Sequence, residues 1–275
     1  MGDDSYTITW KVALFYYAGA LTPTSQIPDF INEFNGVVIL TNDEGESANK
    51  DALIDIVERF WEYKPGYQII VEVPNPSGTC TYEEMKSWID KIEERVADKV
   101  GGYYFVPEGA WTMLNASGCI DNVKKAVNYV KNTLNKFAIW IPVGDISNIE
   151  GSFNNMDLCQ NLIGFTNIAP QPHYYMTKDS EMDFNKLIEF MQECKNRGWG
   201  VEFECDKTVL GNIENCGCKY KNICIRRAAN YYCALNKVGN VKYIYHYFSN
   251  DIECYRMVKR HYEEHPCPND GYSTC

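Results

Sequence analysis

The chain has 275 residues, 45% of them hydrophobic and 23% charged, which is an ordinary globular composition with enough length for one large core. Its formal net charge of −11 argues against nucleic acid or an anionic membrane as partner, since both need clustered Lys and Arg. No apolar run approaches the roughly 18 residues of a membrane-spanning helix, and the opening Met1–Tyr6 lacks the basic flank and apolar core of a signal peptide.

In chain order, residues 12–19 form an apolar, aromatic run of strand length, followed by a short helix near 25–35. A β-branched run over 36–42 predicts the second strand. Leu53, Ile56, Val57 and Phe60 then recur at helical spacing through 49–63. The third strand is expected over 66–74. Thr81 with Glu84 reads as a capping box opening a helix striped by Met85, Trp88, Ile89, Ile92 and Val96. The fourth strand, 100–108, ends on Glu108, and Ile120, Val123, Val127, Val130 and Leu134 stripe its helix. A fifth strand over 136–144, a weak helix at 153–162 and a sixth strand over 164–172 come next. Phe184, Leu187, Ile188 and Met191 mark the following helix. The seventh strand, 200–206, a helix near 221–237, the eighth strand, 241–248, and a last helix near 250–263 complete the chain.

Eight strands alternating with helices in about 260 residues predict an α/β fold, a single (β/α)8 TIM barrel. The barrel is expected over about 12–264, with a Cys-rich loop after strand seven and a short tail over 265–275, all in one domain. An open doubly wound sheet is the alternative, disfavoured because no glycine-rich phosphate turn follows strand one.

The seventh strand carries the strongest functional signal. Glu202, Glu204 and Asp206 occupy alternate positions among apolar residues, so all three share one face of a strand that should be buried. A row of inward carboxylates is costly unless paired, protonated or used. In a barrel of this kind the C-terminal ends of the strands open onto the active-site face. Glu108 and Glu204 should therefore meet there despite their separation in sequence, with Glu202 one layer deeper and Asp206 at the rim. Two carboxylates across a barrel mouth suit glycoside hydrolysis, where one is protonated to assist the leaving oxygen and the other ionised. Pairing with a barrel Lys or Arg, or a place at the solvated rim, is the structural alternative. Tyr16 or Tyr17, Trp111, Trp140, His173, Tyr174, Tyr175, Tyr245 and Tyr247 lie at or beyond strand ends. Rings there suit stacking on pyranose faces, and the amide of Gln171 suits a sugar hydroxyl.

The segments VGGYYFVPE, FAIWIPV, IGFTNIAPQPHYY and GVEFECD, together with the tyrosine-rich last strand, resemble a group of prokaryotic TIM-barrel proteins classed as a domain of unknown function and thought to be glycosidase-like. The resemblance covers roughly residues 12–248. The chain also resembles the wider superfamily of retaining glycoside hydrolases, whose acid/base ends strand four and whose nucleophile ends strand seven. That implies Glu108 as acid/base and Glu204 as nucleophile, with Glu202 the fallback and Gln171 and Tyr174 as substrate contacts. The sequence departs from the pattern at Pro107, where an Asn is usual, and at His173, where the family motif carries Asn.

The expected function is thus a retaining glycoside hydrolase acting without cofactor or metal on an oligo- or polysaccharide. A non-catalytic barrel with a carbohydrate-binding, surface or assembly role is the second expectation. Twelve cysteines, eight of them from Cys205 onward, predict at least two disulfides and favour an extracellular or cell-surface location. Cys80 with Cys119 is the preferred pair, and for Cys216, Cys218 and Cys224 a disulfide is favoured over zinc because the spacing does not match paired knuckles. His261 and His265 read as a solvated helix end, not a metal pair, and Asn115 fits a glycosylation sequon.

Overall fold

The computed structural model describes residues 10–16, 22–40, 50–75, 80–177, 183–218, 220–249 and 251–273. Eight strands form one parallel sheet: β1 (Trp10–Tyr16), β2 (Gly36–Leu40), β3 (Gln68–Val73), β4 (Gly102–Phe105), β5 (Phe137–Trp140), β6 (Asn167–Ile168), β7 (Val201–Glu204) and β8 (Tyr243–Tyr247). The order β6-β5-β4-β3-β2-β1-β8-β7 leaves β6 and β7 at the seam. Backbone hydrogen bonds from Gly200 to Ile168 (2.8 Å) and from Glu202 to Pro170 (3.0 Å) bridge that seam, so the sheet is a nearly closed TIM barrel.

The pleat sorts side chains into two layers. Val12, Leu14, Val38, Leu40, Ile70, Tyr104, Ile139, Ile141, Ala169 and Tyr245 fill the barrel interior. Their neighbours one residue away, such as Phe15, Ile39, Val71, Phe105 and Trp140, pack outward against the helices. The helices are α1 (Ile27–Glu33), α2 (Lys50–Tyr63), α3 (Tyr82–Val96), α4 (Ala110–Asn115), α5 (Cys119–Asn128), α6 (Ile149–Ile163), α7 (Phe184–Asn196), α8 (Lys221–Val238) and α9 (Ile252–Glu264). The stripes read from spacing are the buried faces, as with Leu53, Ile56, Val57 and Phe60 on α2.

Several details differ from the sequence reading. Thr81 sits at the N-cap of α3, but its hydroxyl makes no cap hydrogen bond and is buried without a partner, so the expected capping box does not form on that side. The region after β4 is two helices, because Gly118 turns at φ +74° between α4 and α5. Strand β6 is two residues long, since Pro170 and Pro172 supply no backbone donor to a ladder. The chain beyond it still tracks its neighbour, with Gln171 N–H on Pro142 O (2.8 Å) and Gly144 N–H on Gln171 O (2.8 Å).

Among the described residues three disulfides staple the fold. Cys80–Cys119, with Cα atoms 5.0 Å apart, joins the loop after β3 to the start of α5, and Cys216–Cys224 closes the loop after β7. Cys233–Cys267 ties the tail to α8, where Asn230 also brackets Tyr272 by hydrogen bonds of 2.6 and 3.2 Å. Cys159, Cys194, Cys205, Cys218 and Cys254 are buried free thiols, each packed as a small apolar group. Among the described residues no helix is long and apolar enough to cross a membrane.

Candidate active site at the barrel mouth

Beyond Phe105 the chain leaves the ladder, and two contacts with β5 and the segment after it fix its path: Trp140 Nε1 donates to Pro107 O (2.8 Å) and Val143 N–H to Glu108 O (3.0 Å). This places Glu108 in a cavity of about 440 Å³ at the C-terminal ends of the strands. Glu72, Tyr104, Gln171, Glu202 and Tyr247 line it with Glu108, and Leu14, Leu40, Val106 and Met176 supply its apolar wall. The Tyr104 hydroxyl donates to Glu108 Oε1. Burial raises the Glu108 pKa above the ordinary carboxylate value, while hydrogen bonds with Tyr104 and Gln171 act against that rise.

The three acids of β7 separate into three environments. Glu202 is 3% exposed, lines the cavity, and keeps Oε2 without a hydrogen-bond partner. Burial holds its pKa well above the usual range, and the charges of Glu204 and Glu108 add to the effect. Glu204 is not part of the cavity lining. Its Oε2 accepts from the Tyr231 hydroxyl of α8, and its Oε1 lies 3.8 Å from His173 Nε2. Burial lifts its pKa to about 8, against the opposing pull of Tyr231 and of the backbone at Tyr175 and His173.

Asp206, expected at the rim, is completely buried. Its Oδ1 accepts from Tyr175 OH (2.7 Å) and Thr208 N–H (2.9 Å), and its Oδ2 from Asn215 N–H (2.6 Å) and Cys216 N–H (3.1 Å). The reason for both reversals is the segment after β6. It turns through His173, at φ +57°, and lays Tyr174 and Tyr175 over the end of β7, where Tyr175 N–H meets Tyr231 OH at 3.2 Å. That cover leaves Glu202, not Glu204, as the β7 acid facing the cavity.

Gln171 and His173 do gather near the mouth. Gln171 Nε2 donates to Ile141 O (3.2 Å) and its Oε1 lies 3.2 Å from His173 Nε2. A polar chain therefore runs Glu108–Gln171–His173 around the β6 side of the barrel, and Glu204 Oε1, which has no hydrogen-bond partner, lies just beyond its end. Burial lowers the His173 pKa, which favours its neutral form.

Trp140, Tyr174 and Tyr245 are not brought to the mouth. Trp140 faces the helix layer, stacked on Phe165 with ring centroids 5.1 Å apart, because Ile139 takes the inward position. Tyr174 is buried with its hydroxyl accepting from Asn230 Nδ2 (2.9 Å). Tyr245 points inward but lines a separate cavity of about 200 Å³ with Gln68, Asn167 and Tyr243, among the early residues of the strands. Trp111 is exposed on α4, and Tyr17 lies outside the described residues. Glu72 and Tyr104 were missed. The signal for Glu72 was present, since it is an acid inside the apolar run of β3, the same pattern that marks Glu202. Among the described residues no group of three or more His, Cys, Asp or Glu is arranged to hold a metal ion.

No family model matches the chain, and the comparison with curated proteins finds no match either. Solved structures do match. A GH18 chitinase from Pseudoalteromonas aurantia superposes with a TM-score of 0.61 at 11% sequence identity, over 92% of this chain and 99% of that one. A thermostable mutant of a xylanase (Xyn10A) from Cellvibrio japonicus gives 0.59 at 10% identity, over 89% and 88%. Dihydropteroate synthase (FolP) from Thermus thermophilus gives 0.50 at 9% identity, over 93% and 94%. Likeness at such identity establishes the barrel and leaves the chemistry to the site.

Proposed function

We propose that the protein is a glycoside hydrolase whose working carboxylates are Glu108 and Glu202. The observation that carries this reading is that these two acids, from the end of β4 and from β7, line one cavity at the barrel mouth. The chitinase and xylanase among the structural neighbours make a carbohydrate the favoured ligand class.

The environments of the two acids suggest their roles. Burial raises both acids, but hydrogen bonds with Tyr104 and Gln171 hold the rise at Glu108 down, so Glu108 is the one of the pair that ionises first. Glu202 is buried with an unpartnered oxygen and with two acidic neighbours, which favours its protonated form. Glu202 then gives its proton to the glycosidic oxygen as the C–O bond breaks, and a Glu108 oxygen bonds to the anomeric carbon. In the second step Glu202, now ionised, takes a proton from a water whose oxygen displaces Glu108, so configuration is retained. This reverses the roles implied by the family resemblance and replaces Glu204 with Glu202 as the second acid.

The test is a panel of aryl glycosides and polysaccharides assayed with the wild type and with Glu108→Gln, Glu202→Gln and Glu204→Gln. Each of the first two should lose about 10²-fold or more in kcat. Azide should restore turnover to Glu108→Ala by taking the nucleophile's place, with the glycosyl azide as product. Activity that survives both Glu108→Gln and Glu202→Gln overturns the mechanism. Sugar binding with no turnover of any substrate would support the non-catalytic reading instead.

A further inference from the structure

The barrel interior is underfilled at its base. Barrels of this kind pack their interior with layers of inward side chains, yet three inward positions near the start of the strands are glycines. Gly36 pairs with Val12 and Gln68, and Gly102 with Ile70 and Phe137, whose side chains all face inward. Gly200 stands opposite Tyr243, one step before the Val201–Ile244 pair. A Cβ at Gly36, Gly102 or Gly200 would lie 2.7–2.8 Å from a carbonyl oxygen of the next strand, that of Gln68, Phe137 or Tyr243. The close approach of the strands holds these positions to glycine, and the volume that side chains would fill stays open. The result is the cavity of about 200 Å³ that Tyr245 lines, and it shares no described lining residue with the mouth cavity. Val12, Ile70 and Ile139 give it aliphatic walls, and the rings of Phe137, Tyr243 and Tyr245 complete them. Phe137 is 43% exposed, so the cavity opens on the face opposite the mouth. The polar groups around it are uncharged: the amides of Gln68 and Asn167 and the two phenols. The Tyr245 hydroxyl is hydrogen-bonded with Asn167. Gln68 Nε2 packs against Gly101, sealed from solvent, and offers a ligand nothing. Lys242 Nζ lies 5.2 Å from the Tyr243 ring centroid, but Lys242 is not among the described lining residues.

We infer that this basal cavity is a second ligand site, for an uncharged molecule built on one aromatic ring, such as an aryl alcohol. Size sets the first limit. An apolar cavity of roughly 150 Å³ takes up benzene, so about 200 Å³ admits one ring with a short substituent. Wall chemistry sets the second. A pyranose of similar size carries hydroxyls on every side, and mostly aliphatic and aromatic walls would strand them. A carboxylate or ammonium would find no opposite charge among the described lining residues. Phe137, Tyr243 and Tyr245 offer stacked or edge-on contacts that an aromatic ring returns and a saturated ring does not. An occupant also restores the dispersion contacts that an empty void forfeits. The inference is independent of the glycoside hydrolase reading, which concerns the opposite end of the barrel.

The experiment titrates the full chain with benzyl alcohol, cyclohexylmethanol, benzoate and benzylammonium, followed by NMR. Benzyl alcohol should bind with a dissociation constant of about 1 mM or tighter, a strength open to so small a ligand. Cyclohexylmethanol should bind about threefold or more weakly, for want of ring contacts. Benzoate and benzylammonium should bind about tenfold or more weakly, because each would bury an unpaired charge. The side-chain amide resonances of Gln68 and Asn167 should shift with benzyl alcohol, while that of Gln171 at the mouth stays in place. Val12→Phe, which fills part of the cavity, should lose the binding. Should that variant not fold, the wild-type shifts at Gln68 and Asn167 decide the location. No binding of benzyl alcohol at about 20 mM overturns the inference. So do shifts at Gln171 without shifts at Gln68 and Asn167, and so does a folded Val12→Phe that binds as the wild type does. Benzoate, benzylammonium or cyclohexylmethanol binding as tightly as benzyl alcohol overturns the ligand class.

Discussion

Glu202 and Glu204 stand two residues apart on β7, and only Glu202 lines the mouth cavity, while Glu204 is bonded to Tyr231 of α8 behind the segment that follows β6. Substitutions should separate them. Glu202→Gln is expected to abolish turnover with little effect on unfolding. Tyr231→Phe should instead leave a buried carboxyl oxygen unpartnered and cost about 1–3 kcal/mol in denaturant titration. A Tyr231→Phe protein as stable as the wild type would remove the structural role given to Glu204.

Stability should fall as pH rises from about 4.5 to about 8. Glu204 has a folded pKa of about 8, above its ordinary value of 4.5, so between these limits the folded protein holds a proton that the unfolded chain has released. The stabilisation is complete below the lower value and lost through the upper one. Glu202 and Glu108 are raised too, so they act in the same direction. Each proton so retained contributes a slope of about 1.4 kcal/mol per pH unit. Chemical denaturation at pH 5, 6, 7 and 8 should show the decline, and Glu204→Gln should flatten it. A wild-type stability that rises over this range would contradict the buried, protonated state.

Asp206 anchors the Cys-rich loop through four accepted hydrogen bonds with no exposure to solvent. Asp206→Ala strands four donors at once and should cost at least about 3 kcal/mol, with loss of protection from hydrogen exchange at Asn215 and Cys216. A cost below about 1 kcal/mol would show that the loop is held by something else.

The disulfides should differ in worth according to the chain they close. Cys80–Cys119 spans 39 residues and Cys216–Cys224 spans 8. Loop-closure entropy then assigns about 4 kcal/mol to the first and about 2.5 kcal/mol to the second. Paired Cys→Ser variants unfolded in guanidinium should follow that order, and the reverse order would count against an entropic origin.

The two tryptophans expected from the sequence to be sugar platforms should behave oppositely. Trp140 is fully buried against Phe165, so Trp140→Ala should cost about 3–5 kcal/mol. Trp111 is 68% exposed, and Trp111→Ala should stay within about 0.5 kcal/mol of the wild type in thermal unfolding. Comparable losses from both would mean that Trp111 is covered.

Period and alternation make the barrel legible in the sequence. Eight apolar runs of strand length, each followed by a 3.6-residue stripe, leave few ways to bury all those faces at once. The acids at 108 and 202 stood out because a carboxylate in an apolar strand is energetically conspicuous. Glu72 was equally conspicuous by that rule. The neighbours that rank these acids could not be read from local pattern. Whether Glu202 or Glu204 meets the cavity depends on where His173–Tyr175 folds and on the reach of Tyr231, residues 27 or more positions away along the chain. Likewise the pleat decides that Trp140 faces a helix and Ile139 the barrel, which requires a register that strand composition alone does not fix. The sequence by itself determined that there would be a barrel with inward acids. Only the tertiary structure decided which acid is covered and which is open, because burial and hydrogen-bond supply are properties of packing between distant segments.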